Sequence, residues 1–354
     1  MNGPLRVGVV GCGIGKSHIA AYQALPAQFQ VVALCDIDQA RVQAVAAENG
    51  IERAATSFDA LCAMHDLDVV DICTPSYLHA AQTLQALAAG KHVVCEKPVA
   101  ASLHEVDELM AAETRSARRV MPIFQYRFGI GMQKLKFLIE QGVAGRAYLT
   151  TAETLWRRRP PYYAVPWRGK WATELGGALV TLAIHAHDLV YYALGTARSV
   201  YAYMATLVNP IETEDSIAAS LQMADGSLCT LAVTTGSARE TSRHRFCFSN
   251  LTAESQTSPY RNSSEPWTFT ADSPESEQRM RATLERFVPL PEHNVGQFSR
   301  FYQALQTGAE LPVTLADARA SLELITALYY SARTRQVVDL PLLSVHPAYG
   351  GWRP

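Results

Sequence analysis

Three groups of residues in this chain of 354 carry chemistry by their type and spacing. The first is VGVVGCGIGKSH (7–18), an apolar run, three close glycines, then a helical pattern. Gly11 permits a tight turn, and Gly13 lets the backbone approach a pyrophosphate. From Ile14 the helix N-terminus supplies amides and a positive dipole end. A strict G-x-G-x-x-G would need glycine at 16; Lys16 stands there, and Gly15 comes one place early. Asp36 ends the next apolar run, 25 residues after Gly11. A carboxylate there accepts hydrogen bonds from an adenosine ribose diol and repels a 2′-phosphate, so NAD is favoured, with NADP possible. Arg41 is either a solvated helix charge or a cation stacked on adenine. The second group is a pair of turns, Thr74-Pro75-Ser76 and Glu96-Lys97-Pro98, each directly after a Val-rich run. The third is IHAHD (184–188), with His185 and His187 two positions apart.

On a helix opened by Gly176-Gly177 and running to about Leu194, positions 181, 185 and 188 are four and three residues apart and share one face. His187 points about 200° round from His185, since each residue turns about 100°. His185 is therefore expected to face a pocket with Thr181, and His187 to be packed. Spacing of i,i+2 on a helix diverges, so no metal site is expected from the pair. Asp188 either orients His185 or joins a salt bridge.

The elements that must position these groups fall into two rhythms. Up to about residue 123, strands at Leu5–Val10, Val31–Cys35, Val69–Cys73, His92–Cys95 and Arg119–Ile123 alternate with helical stretches at His18–Leu25, Gln39–Glu48, Leu78–Ala89 and Leu103–Glu113. Such alternation predicts an α/β domain with a parallel sheet covered on both faces, and ligands then bind at the C-terminal strand ends. Both turns of the second group lie there.

Beyond 123 the pattern is α+β. A helix is expected over Met132–Gln141 and a strand near Ala147–Leu155, followed by the Arg/Pro/aromatic stretch RRRPPYYAVPWRGKW (157–171). After the helix ending near Leu194 come strands at Val200–Leu207, Ser216–Met223, Leu228–Thr235 and Arg245–Ser249, with Asp225-Gly226 as a hairpin turn. Residues 254–278, rich in Ser, Pro, Glu and Thr, read as a long excursion or lid. Helices at Val295–Thr307 and Leu315–Thr334 close the chain. The expected division is 1–123 and 124–354.

Composition narrows the function classes. With 31 Lys+Arg against 33 Asp+Glu, the net charge is −2, which removes the broad attraction that nucleic acid or an anionic membrane needs. No run of 18 apolar residues predicts a membrane span, and Leu5–Val10 is too short for a signal-peptide core, so a cytoplasmic protein is expected. The seven cysteines (12, 35, 62, 73, 95, 229 and 247) are scattered and form no C-x-x-C pair, so neither disulfides nor a zinc site is expected.

With GCGIGKSH, CTPSYLH (73–79), CEKPVA (95–100) and GGALVTLAIHAHD (176–188) in this order, the chain resembles the Gfo/Idh/MocA oxidoreductases over nearly its whole length. The resemblance implies an N-terminal Rossmann domain and a C-terminal α+β domain with a large, mostly antiparallel open sheet. One side of that sheet would carry the substrate pocket and the other a homodimer or homotetramer interface. It also implies that Lys97, next to Glu96, stands beside the reacting hydroxyl or carbonyl, and that His185 is the general acid/base. Thr74, Pro75 and His79 would shape the nicotinamide side of the cofactor site, and Trp167 with Arg168 would approach the nicotinamide. Inositol dehydrogenase-like members carry Asp four residues before the histidine; here that residue is Thr181, so the proton relay or substrate differs.

Hydride transfer from a secondary alcohol requires the hydroxyl proton to leave, which suits histidine's pKa range, and a lysine ammonium stabilises the developing alkoxide. Tyr126, Arg127, Tyr162, Tyr163, Arg168 and Trp171 offer the aromatic faces and donors that suit a sugar or polyol ring. Arg157-Arg158-Arg159 is either a solvated charge run or an anion clamp. The expected function is an NAD(P)-dependent dehydrogenase or reductase acting on CH–OH groups of a sugar, cyclitol or sugar derivative. The alternatives are an NAD-dependent glycosidase or lyase using transient oxidation, and a cofactor-sensing regulator.

Overall fold

The structure, a computed structural model, describes residues 3–354. It divides into two compact units, each taken by itself here. The first is built on six strands: β1 (Leu5–Val10), β2 (Phe29–Cys35), β3 (Arg53–Ala55), β4 (Val69–Ile72), β5 (His92–Cys95) and β6 (Val120–Pro122). All pairings are parallel, in the order β3-β2-β1-β4-β5-β6. Every residue of β4 and β5 is buried, as crossover helices on both faces require. The order reverses direction between β1 and β4, and the loops leaving those two strands carry Gly11 and Thr74. That is the switch point at which open α/β sheets take ligands. The short β3 and the helix Phe58–Cys62, begun by the Ser57 cap, lie where no strand or helix was expected.

This unit holds the chain up to Ile123 and also Asn294–Arg319, a segment that the rhythm of the sequence placed with the second domain. The physical reason is aromatic burial. Phe298 stacks on Tyr22 at 4.2 Å and meets the edge of Phe29, and Gln297 Nε2 donates to Pro122 O at 2.7 Å. None of these partners is near in sequence.

The second unit is built on eight strands: β7 (Ala147–Arg157), β8 (Ala197–Ala205), β9 (Ser216–Met223), β10 (Leu228–Thr234), β11 (Gly236–Phe248), β12 (Leu251–Glu254), β13 (Thr268–Ala271) and β14 (Val338–Asp339). Their order is β13-β12-β11-β7-β10-β9-β8-β14. Only β7 and β10 pair in parallel; the rest are antiparallel. Exposed and buried residues alternate along β9, so one sheet face packs and the other is open. Gly226, at φ +87°, turns the β9–β10 hairpin. Among the described residues no single helix is long and apolar enough to cross a membrane.

Two expectations are corrected in this unit. Residues 254–278 are not a lid. They hold edge strand β13 and a core segment in which Asn262, Ser263 and Trp267 are buried, with Trp267 Nε1 donating to Asn262 O at 2.7 Å. Gln256 Nε2 donates to the carbonyls of Arg261, Ser264 and Glu265, which satisfies part of the segment's polar backbone from within. The second correction concerns the helix after Gly176-Gly177, which is broken into Ala178–Thr181 and Ile184–Leu194, the segment Trp171–Thr181 meeting Ile184–Leu194 at a bend of 51°. Thr181 Oγ1 donates back to Gly177 O at 2.8 Å, and Ala183 N reaches five residues back to Ala178 O. Both contacts disturb the regular ladder and bend the axis.

Candidate active site

In the first unit the nucleotide turn is made by close backbone approach. A Cβ on Gly11 would lie 2.4 Å from Cys73 O, and its φ is +93°, so only glycine fits. A Cβ on Gly13 would meet nothing within 4 Å, leaving open space where a ligand phosphate can approach. At Gly15 it would sit 3.1 Å from Val9 Cγ1, so this glycine does the strand–helix packing that the strict motif gives to its third glycine one place later. The helix Gly15–Gln23 has no side-chain cap, and its first amides suit an anion. Ile14, beside them, is exposed.

Asp36 is held over this turn. Its Oδ2 accepts from Cys12 N at 2.8 Å and its Oδ1 from Asp38 N at 3.0 Å. A carboxylate has further lone pairs, so it can still accept from a ribose diol. Arg41 is an exposed ion-pair partner of Asp36 and Asp38, at 3.5 and 3.2 Å. Ile37 is 94% exposed at the mouth of the turn, an apolar surface for a planar base that the sequence reading passed over. The open space at Gly13 and the anchored carboxylate fit a dinucleotide.

Behind the second turn, His79 is buried, with Nδ1 2.7 Å from Pro98 O and Nε2 2.8 Å from Thr74 O. Burial pushes its pKa down, and a neutral ring donates to one carbonyl at a time. The His79 ring thus packs between the Thr74-Pro75 turn and the Glu96-Lys97-Pro98 turn, donating to one of them at a time. Thr74 Oγ1 donates to Gln82 Oε1 at 2.6 Å. Lys97 is half-buried, and its backbone N–H donates to Glu96 Oε2 at 3.1 Å.

In the second unit, His185 is buried on the helix Ile184–Leu194. Its ring stacks on Tyr126 at 4.5 Å and meets Phe124 edge-on at 6.4 Å. Beside it lies a cavity of about 10 Å³ lined by Thr154, Trp156, Ser242, His244 and Asn262 among others, room for one water. His187 points away from it, with Nε2 3.1 Å from Ser321 Oγ; burial pushes it to about 3, so it is neutral. Asp188, for which two roles stood open, makes a two-pronged ion pair with Arg127 at 2.9 and 2.6 Å, buried under Phe124 and Tyr192. Because the helix breaks after Thr181, Thr181 and His185 do not share one continuous helical face.

The Arg/Pro/aromatic stretch is organised by acids outside it, Glu174 just past its end and Glu240 far along the chain. Arg168 lies over the rings of Tyr162 and Trp167 at 4.0 and 4.3 Å and pairs with buried Glu174 at 3.1 Å. Arg158, in the middle of its charge run, is buried against Trp156 and Tyr162 and bonded to Glu240 and Tyr260. Half-buried Tyr163 is pushed up to about 12 by burial. Trp171 uses its indole N–H on Glu212 O at 2.9 Å and meets Tyr329 edge-on.

Residues 5–124 match the oxidoreductase family described as an NAD-binding Rossmann fold, and residues 132–253 match the GFO/IDH/MocA C-terminal domain. A crystal structure of the WlbA dehydrogenase from Bordetella pertussis in complex with NADH and UDP-GlcNAcA is 30% identical, with TM-score 0.85, over 96% of this chain and 100% of that one. The chain belongs to the Gfo/Idh/MocA oxidoreductase family. The D-glucoside 3-dehydrogenase of Escherichia coli is 28% identical over 363 residues, 95% of this chain and 98% of its own. An uncharacterized oxidoreductase of Synechocystis sp. is 31% identical over 244 residues, 65% of each chain. This Gfo/Idh/MocA member is thus an NAD-dependent oxidoreductase.

Glu214 supports the segment that leads to His185, and its spacing did not announce it. It is buried, and accepts from Gly177 N at 3.0 Å, Leu179 N at 2.9 Å and Tyr329 Oη at 2.6 Å. Burial lifts its pKa to about 7 against the pull of those donors. Its carboxylate caps the short helix that leads to His185, and a Cβ on Gly177 would lie 1.8 Å from Glu214 O. No local motif points from 214 to 177.

Proposed function

We propose that this protein oxidises a secondary hydroxyl of a sugar, glycoside or cyclitol, or reduces the matching ketone, with Lys97 and His185 managing the proton. Two features carry the reading, one in each unit. Lys97 lies in a turn gripped by Glu96 and His79 at the C-terminal edge of the nucleotide sheet, and His185 is a buried imidazole fixed by Tyr126. End-to-end similarity to a glucoside dehydrogenase and to a dehydrogenase crystallised with UDP-GlcNAcA supports the substrate class. Bound NAD supplies the hydride acceptor. Gly13 and the helix amides from Ile14 hold the pyrophosphate, and Asp36 takes the ribose hydroxyls. The Lys97 ammonium hydrogen-bonds the reacting oxygen and stabilises its developing negative charge. His185 receives the hydroxyl proton, its ring plane set by Tyr126. Trp167, Arg168, Tyr163, Trp171 and Thr181 contribute the rim that takes the remaining hydroxyls.

The open face of the eight-stranded sheet, with Leu149, Tyr203 and Leu228 exposed, supports assembly into a homodimer or homotetramer. Sedimentation velocity checks this.

The decisive measurement is NADH formation with a panel of glucosides, cyclitols and nucleotide sugars. Lys97→Met and His185→Ala should each lower kcat by about a hundredfold to ten-thousandfold, with NADH affinity kept. Wild-type turnover in both variants overturns the roles. Glycoside cleavage without NADH accumulation moves the reading to transient oxidation.

A further inference from the structure

We propose that His18 is a positioning residue for Lys97: its ring, held between the carboxylates of Asp71 and Glu96, fixes the Glu96 side chain that anchors the Lys97 backbone. The inference deepens the reading above, since it rests on Lys97 acting at the reacting oxygen. His18 lies on the helix that follows the glycine turn and is completely buried. Its Nδ1 is 2.9 Å from Asp71 Oδ2 and its Nε2 is 3.2 Å from Glu96 Oε1. Asp71 stands inside β4, a strand with every residue buried. The Cys73 thiol reaches the same group, 3.3 Å from His18 Nδ1 and 3.5 Å from Asp71 Oδ1. Phe298 closes one side edge-on at 5.4 Å.

Both nitrogen partners are acceptors, and a neutral imidazole has one N–H, so only the doubly protonated ring satisfies both. Burial opposes that charge, but the Asp71 carboxylate outweighs it and holds His18 well above the ordinary histidine range. A buried carboxylate needs a counter-charge or its burial is costly, and here one imidazolium serves two. Glu96 divides its oxygens: Oε1 faces His18 and Oε2 accepts from Lys97 N at 3.1 Å. On the other side of the turn His79 Nδ1 lies 2.7 Å from Pro98 O. The turn is therefore clamped at both ends, and His18 sets the end from which the Lys97 side chain departs. Misplacing a catalytic group by about 1 Å can cost a hundredfold in rate, so a residue that never touches the substrate has leverage.

Two measurements test this. Nitrogen-15 NMR of the wild-type protein should show the His18 ring with both nitrogens protonated at pH 8. A neutral tautomer, or a metal ion on Nδ1 of the purified protein, overturns the proposal. His18→Gln should lower kcat about thirtyfold, with KM and NADH affinity within about threefold of wild type. Amide exchange in the 96–101 peptide should accelerate in the same variant. Wild-type kcat with unchanged exchange overturns the proposal. Failure of the wild-type protein to oxidise any substrate would instead overturn the role of Lys97, leaving NMR and exchange to judge His18. If the variant does not fold, the wild-type NMR result decides alone.

Discussion

The two units hold their candidate binding groups by different means. In the first, the contacts suited to a dinucleotide are mostly backbone: a glycine that admits no side chain at Gly11, open space at Gly13, and helix amides, with one anchored carboxylate at Asp36. Those features follow one another along a strand, a turn and a helix. In the second unit, side chains do the work, and each is set by a distant partner. Gly177 leans on Glu214, Asp188 on Arg127, and Trp156 on Ser242. Phosphates and ribose are common to every dinucleotide, so a local backbone cradle suffices for them. A sugar is distinguished by the placing of several hydroxyls, which needs donors and acceptors gathered from many elements.

Three experiments can break or sharpen that contrast. The largest effect is expected from Arg127→Met, which removes the guanidinium from buried Asp188. It should destabilise the protein by about 3–5 kcal/mol in denaturant unfolding, and Arg127→Met with Asp188→Leu should recover most of it. A loss under about 1 kcal/mol would mean that long-range pairs do not hold the second unit together.

Next in size is the pH dependence contributed by Glu214. Its folded-state pKa of about 7 lies above the ordinary 4.5, so the folded protein holds the proton more tightly than the unfolded chain. Stability from this group is present below about pH 4.5, is lost as pH rises to about 7, and is level above, a change of up to about 3 kcal/mol. Glu214→Gln should flatten that slope in thermal unfolding between pH 4.5 and 8. An unchanged slope would show that Glu214 is already ionised when folded.

The smallest effect belongs to the first unit. Asp36→Ala should weaken NADH binding about tenfold and narrow the preference over NADPH, with substrate KM unchanged in fluorescence titration and steady-state assays. A rise in substrate KM would show that the two recognition modes are not separable.

What could be read before folding follows the same contrast. Apart from the short β3 and the helix Phe58–Cys62, the order of strands and helices up to Ile123 and the position of Gly11, Gly13 and Asp36 were evident, because hydrophobic period and turn chemistry are short-range. The helix through Thr181 and His185 was read as continuous. Its break arises from a hydroxyl competing for Gly177 O and from Glu214 capping the first piece, neither of which has a periodic signature. Residues 254–278 were read as an excursion because Ser, Asn and Glu suggest solvent, yet Trp267 draws the segment into the core.

Residue order alone was enough to specify five of the six strands of the first sheet, its glycine turn, the two strand-end turns and the separation of His185 from His187. Those properties depend on residues within a few positions of one another, where bond geometry allows few outcomes. The folded chain was needed to assign Asp188 to Arg127, to bury Arg158, to bring Phe298 onto Tyr22, and to place His18 between Asp71 and Glu96. Each of these joins groups far apart in the chain, and which acid meets which base is decided by packing and desolvation, not by spacing.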